Sequence, residues 1–159
     1  MRNCIVLPLL LIALAAPQPA RAQDLTQQLV KLERGALDRW SKGDTGGYMD
    51  LYTDDVSYFD PFTDKRVEGK AAMIERYKPF DGKFSIARYE ILNPVVIASG
   101  EIATLSFNLV NYNPGPDGKE KVLNRWNCTE IYRRTKGQWM IAHSHWSFTT
   151  PEFKTPQSP

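Results

Sequence analysis

Apolar residues recur at helical spacing in the first part of this chain and crowd into strand-like runs in the rest. Leu25, Leu29, Leu32, Ala36 and Trp40 fall on one stripe of a helix. Asp24, followed three residues later by Gln27, predicts its N-terminus, and Ser41-Lys42-Gly43 closes it. Asp44 opens a shorter second helix in which Tyr48, Leu51 and Tyr52 share a face. Gly46 and Gly47 weaken that helix in isolation, so packing must hold it. Val56 to Phe59 reads as a strand that stops at Asp60-Pro61, because proline cannot donate to a ladder. Thr63-Asp64-Lys65 turns the chain, and Arg66-Val67 pairs back. Lys70 to Lys78 predicts a third helix with Ala71, Met73, Ile74 and Tyr77 on its apolar side, ended by Pro79.

Four long runs rich in β-branched and aromatic residues follow: Phe84 to Ala98, Ile102 to Tyr112, Val122 to Arg134 and Trp139 to Phe148. Ser99-Gly100-Glu101, the stretch Pro114 to Gly118, and Lys136-Gly137 supply the turns. Three helices followed by an antiparallel meander predict an α+β domain with its helices on one face of a curved sheet, and a pocket between them. Residues 150–159, with Pro151, Pro156 and Pro159, read as a flexible tail.

The first 22 residues read as a signal peptide. Arg2 provides a basic start, Ile5 to Ala16 is apolar apart from Pro8, and Ala20-Arg21-Ala22 offers small residues at a cleavage site. The apolar run is shorter than the roughly 20 residues a bilayer requires. The expectation is an exported protein, periplasmic in a bacterium, with one domain over residues 23–149 and no membrane span after the leader is removed. The leader holds two of the 20 basic residues and none of the 18 acids, so the remainder is formally neutral. Without a basic face, nucleic acid is not an expected partner. Of the two cysteines only Cys128 lies beyond the leader; an internal disulfide is excluded, and a buried, inert thiol is expected. No nucleotide loop, metal cluster or cofactor fingerprint is present, so no cofactor is expected.

Gly43-Asp44, Tyr48, the run Leu51-Tyr52-Thr53-Asp54-Asp55, Asp60-Pro61, Gly69 and the closing Gly137-Gln138-Trp139 with His143-Ser144-His145-Trp146-Ser147 together resemble the nuclear-transport-factor-2-like superfamily. That superfamily includes polyketide-cyclase-like (SnoaL-like) and ketosteroid-isomerase-like proteins. The closing strand is similar to that of the association domain of calcium/calmodulin-dependent protein kinase II. The resemblance implies a cone, cystatin-like in fold, in which a strongly bent antiparallel sheet wraps about three N-terminal helices and leaves a pocket at the wide end. In isomerase members a carboxylate at the position of Asp60 is the general base beside a ketone. Their enolate oxygen is bound by a tyrosine on the first helix, and the matching residue here is Ala36, which donates nothing. The pocket arginines of the kinase association domain fall at Glu130 and Trp146 here.

Asp60 is therefore the candidate catalytic residue, with a turn-capping acid as the alternative. Tyr48, Tyr58, Asn108, Trp126, Glu130 and Trp146 are the candidate ligand-binding residues. Strand parity turns Trp126, Cys128, Glu130 and Tyr132 inward, although Glu130 could instead pair with Arg88 on a solvated face. Tyr77, Tyr112, Thr104, Ser106 and Ser144 extend the expected wall, because a sealed core rarely tolerates so many polar groups. If Asp60 and Glu130 share a cavity, their proton affinities should be driven apart. His143 and His145 share a face with Trp139, Ile141 and Ser147 by parity. They look outward if Trp146 looks inward, and a metal site is not expected there.

Two functions remain open. One is an exported binder of a small, neutral or cationic, partly apolar molecule, with isomerase or dehydratase chemistry at Asp60 neither required nor excluded. The other is a non-catalytic interaction or immunity-type scaffold. A homodimer through the sheet face is expected.

Overall fold

The computed structural model describes the backbone of residues 18–150 and the side chains of residues 23–150. Residues 1–17 and 151–159, which hold most of the expected signal peptide (1–22) and flexible tail (150–159), lie outside the described residues. Helix α1 spans Gln18–Trp40 and α2 Gly46–Leu51; β1 runs Tyr52–Phe59 and β2 Val67–Glu68; α3 covers Lys70–Tyr77, continued by a 3₁₀ turn Lys78–Phe80. Strands β3 (Arg88–Ser99), β4 (Ile102–Pro114), β5 (Glu120–Thr135) and β6 (Gln138–Phe148) complete an α+β fold. The six-stranded sheet has the order β2-β1-β6-β5-β4-β3. Its pairs are antiparallel except β1 with β6, which is parallel because the two strands are joined through the rest of the domain.

Helix α1 begins ahead of Asp24, so Asp24 and Gln27 lie within the helix rather than at its N-terminus. Its buried face is centred on Leu29, Glu33, Ala36 and Leu37, with Leu25, Leu32 and Trp40 partly buried. Gly43, at φ 84°, ends it. The glycines of α2 have a packing role: a Cβ on Gly47 would lie 2.6 Å from the Ala36 carbonyl oxygen, so α2 crosses α1 at near-backbone contact. In α3 only Met73 is fully buried; Ile74 is exposed, since β1 covers one narrow strip of this short helix.

Register slips bend the sheet, at Leu92/Val95 in β3, at Asn111/Tyr112 between β4 and β5, and at Ile131/Tyr132 between β5 and β6. The last slip leaves Ala142 as an extra residue: Tyr132 pairs with Ile141 and Ile131 with His143. It inverts the parity of β6. Trp139 and Ile141 face the core with Ser144, whereas His143 and His145 lie on the other face. Simple alternation would have put the two histidines on the side of Trp139 and Ile141.

Candidate functional site

Between the concave sheet and helices α1, α2 and α3 lies a cavity of about 600 Å³. Tyr48, Tyr52, Tyr58, Tyr77, Trp40, Trp126 and Trp146 give it aromatic walls. These rings meet edge to face, for example Trp40 on Tyr77 with centroids 5.1 Å apart and Trp126 on Trp146 at 6.1 Å, which holds the walls without filling the space between them.

Asp60 is the acid on the cavity wall, its side chain 6% exposed. The strand β1 delivers it and Pro61 stops the ladder there. Oδ1 accepts the Phe62 amide at 2.8 Å and lies 3.3 Å from Arg76 Nη2. Oδ2 accepts the Tyr58 hydroxyl at 3.0 Å, and the Tyr58 and Tyr77 hydroxyls are 2.7 Å apart. A phenol carries one proton. With Tyr58 donating to Asp60, the pair is completed by Tyr77 donating to Tyr58, a chain that ends on the carboxylate. Burial pushes the Tyr77 phenol up to about 12 and Tyr58 further, so both remain donors. Asp60 thus caps its turn and also lines the cavity with a held carboxylate, with Arg76 as counter-ion.

Glu130 is placed differently from the expectation that it contacts a ligand. It faces inward but is fully buried behind the wall, with Ser144 donating to its Oε1 at 2.9 Å and Trp146 donating through its indole to Ser144 at 2.8 Å. Its electrostatic partner is Glu33 rather than Asp60. Tyr48 donates to Glu33 Oε1 at 2.6 Å and Tyr132 to Oε2 at 2.8 Å. Burial raises Glu33 to about 7 against these two donors. Burial, and then the charge of Glu33, raise Glu130 well above the carboxylate range. Burial favours the proton on both acids, and Glu33, held by two phenol donors, is the first of the pair to ionise, as pH rises through about 7, while Glu130 keeps its proton. The Arg88 alternative for Glu130 fails as well: Arg88 pairs with Glu90 and Glu120.

Asn108 is not on the cavity wall. Leu105, Phe107 and Leu109 take the inward positions of β4, and parity sends Asn108 to the outer face, where it donates to Asn127 at 2.9 Å. Thr104 and Ser106 follow it outward, and Tyr112 leaves the wall to donate to Glu90. Asn111, in step with Leu105, Phe107 and Leu109, and its partner Asn124, in step with Trp126, lie on the wall instead. Ala36 is packed beneath α2 and does not line this cavity. Of the candidates, Tyr48, Tyr58, Asp60, Trp126 and Trp146 converge on one space.

Glu33, Arg76, Asn111 and Asn124 were not anticipated. Glu33 had a legible signal, since it lies four residues from both Leu29 and Leu37 on the buried stripe. Cys128 is buried, and burial pushes its thiol up, away from reactivity. Among the described residues no group of three or more His, Cys, Asp and Glu side chains could hold a metal ion, and no helix is long and apolar enough to cross a membrane.

With this geometry established, the SnoaL-like domain family matches residues 34–151. The chain belongs to that family, within the nuclear-transport-factor-2-like group. A candidate ketosteroid isomerase from Parabacteroides distasonis ATCC 8503 is 34% identical, over 80% of this chain and 89% of that one, with a TM-score of 0.69. The association domain of C. elegans CaMKII is 22% identical over 80% and 98%, with a TM-score of 0.68. An NTF2-like protein of unknown function from Pseudomonas putida KT2440 is 24% identical over 86% and 98%, at 0.67. The last two show the shared fold alone, which is the cystatin-like one. No curated protein matches the sequence.

Proposed function

We propose that this chain is an exported small-molecule-binding protein whose aromatic cavity takes an uncharged, largely apolar ring compound, with Asp60 at the polar end of the site. The observation that carries the reading is the open cavity of about 600 Å³, walled by tyrosine and tryptophan around one hydrogen-bonded carboxylate. A cationic ligand is disfavoured, because Arg76 already compensates Asp60 and Glu130 is sealed off. Export rests on the leader, which matches a periplasmic address. Any catalysis would be proton transfer at Asp60, whose carboxylate the Tyr77–Tyr58 hydroxyl chain holds in place. Native mass spectrometry of protein purified from its own host tests the reading: an added small mass supports it, and protein that stays clean after gentle ionisation counts against it.

The outer sheet face supports a second, compatible element, a homodimer. Val95 and Ile97 on β3 are 54% and 74% exposed, and His143 and His145 lie on the same face of the sheet. A monomer at tens of micromolar in sedimentation experiments would remove it.

A further inference from the structure

The cavity has a polar end and an apolar end. Apart from its tyrosines and tryptophans, its polar lining side chains are Asp60, Arg76, Ser85, Asn111 and Asn124. Strand pairing gathers them at one end of the sheet. β1 ends at Phe59 beside His145 of β6. β6 goes on to Phe148, which pairs with Trp126, and Trp126 pairs with Leu109; Asn124 and Asn111 are the next inward pair beyond. Ser85 precedes β3, whose Arg88 pairs with Tyr112, and Arg76 lies 3.3 Å from Asp60. The same end is the open one. Phe62, Phe80 and Leu123 line the cavity there and are 67%, 55% and 51% exposed. At the other end the rings of Tyr48, Tyr52 and Trp146 form a floor with Leu37 and Met49. Their polar atoms turn back on the buried acid pair: Tyr48 donates to Glu33 at 2.6 Å, and Trp146 donates to Ser144 at 2.8 Å, where the Tyr52 hydroxyl is also held. A ligand hydroxyl brought to this floor would lose water and gain no partner. At the mouth it keeps water and meets Arg76, Ser85 and Asn124.

We propose that the cavity is an end-on site for amphiphiles: it takes the apolar end of a molecule and leaves the polar end, with any larger group attached to it, at the mouth. The inference rests on the small-molecule reading above and adds the class of ligand, a ring body that is polar at one end only. Phe62, Phe80 and Leu123 offer apolar surface to a stem that leaves the cavity, which gives these exposed side chains a use. Leu123 owes its place to the sheet, as the extra residue between the Asn111–Asn124 and Tyr112–Val122 pairs.

Two isomeric diols test the orientation: 1,3-bis(hydroxymethyl)pyrene, with both hydroxyls at one end, and 1,6-bis(hydroxymethyl)pyrene, with one at each. Binding to the purified protein is read by energy transfer from the cavity tryptophans Trp40, Trp126 and Trp146. The 1,3 isomer should bind on the order of tenfold more tightly. 1-(Hydroxymethyl)pyrene extended through its oxygen by a poly(ethylene glycol) chain should bind as tightly as the methyl ether of the same alcohol. Leu37→Asn puts a polar partner on the floor and should shrink the isomer ratio; Met49→Gln does the same if the first variant does not fold. Equal affinities of the diols, a tighter 1,6 isomer or exclusion of the extended compound overturns the inference. A ratio unchanged in the folded floor variants overturns it as well. Failure of unsubstituted pyrene to bind would remove the small-molecule reading and this inference together, whereas pyrene binding without discrimination between the diols removes only the end-on orientation.

Discussion

The Tyr132 hydroxyl, on the fifth strand, donates at 2.8 Å to Glu33 on the first helix, joining residues 99 apart in sequence inside a fully buried acid pair. Tyr48 completes the clamp from α2. A carboxylate so placed links helix, wall and sheet, and its loss should be felt in all three.

Replacing Glu33 with Leu strands the Tyr48 and Tyr132 hydroxyls in the core. The expected cost is about 2–4 kcal/mol in urea unfolding. The triple variant Glu33→Leu, Tyr48→Phe, Tyr132→Phe removes both donors with the acceptor and should recover most of that loss. A triple variant no more stable than the single one would show that packing, rather than orphaned hydroxyls, sets the cost.

Stability should fall as pH rises across the neutral range. Burial raises Glu33 to about 7 from an ordinary 4.5, so between those values the folded state holds a proton that the unfolded state has released. The contribution is fully present below about 4.5 and is lost as pH climbs through about 7. Glu130 is shifted in the same direction. The melting temperature of the wild type should therefore drop between pH 5 and 8, and Glu33→Gln with Glu130→Gln should flatten the curve. An equal slope in the double variant would exclude the pair as its source.

Much of the fold was legible because helical stripes, proline stops and β-branched runs are local signals. The inward face of β5, from Trp126 to Tyr132, follows from alternation alone. The histidine strand shows where alternation fails: a single extra residue, Ala142, reverses a face, and no local pattern announces it. Asp60 and the aromatic walls could be named from sequence, and alternation also turns Asn111 and Asn124 inward, but Arg76 becomes a site residue only through the packing of α3 against β1. The acid pair was half visible, since Glu130 was expected to meet a second carboxylate and the one it meets comes from α1.

Asp60→Asn should weaken ring-compound binding and cost about 1–2 kcal/mol of stability, through the loss of charge-assisted bonds from Arg76 and Tyr58. Calorimetric titration and urea unfolding measured together separate the two effects. Unchanged binding in the folded variant would reduce Asp60 to a turn residue.

Two glycines should respond in opposite directions to alanine. Gly35 lies inside α1 with nothing within 4 Å of the place an added Cβ would take, so Gly35→Ala should stabilise by about 0.5–1 kcal/mol. Gly47→Ala would press a methyl to 2.6 Å from the Ala36 carbonyl oxygen and should destabilise by about 1–3 kcal/mol. Thermal melts of both decide the point, and a stabilising Gly47→Ala would contradict the close helix crossing.

The parallel pairing of β1 with β6 carries a consequence for the order of assembly. Tyr58 lies beside Ser144, so β1 waits for the last strand of the sheet while its other edge has only the two-residue β2. The meander from β3 to β5 can zip by neighbour contacts, but the cone closes only when its carboxyl-terminal strand arrives, a long-range step that slows folding. A partly synthesised chain is therefore an open sheet with no cavity, and the cavity comes into existence only when the last strand is in place.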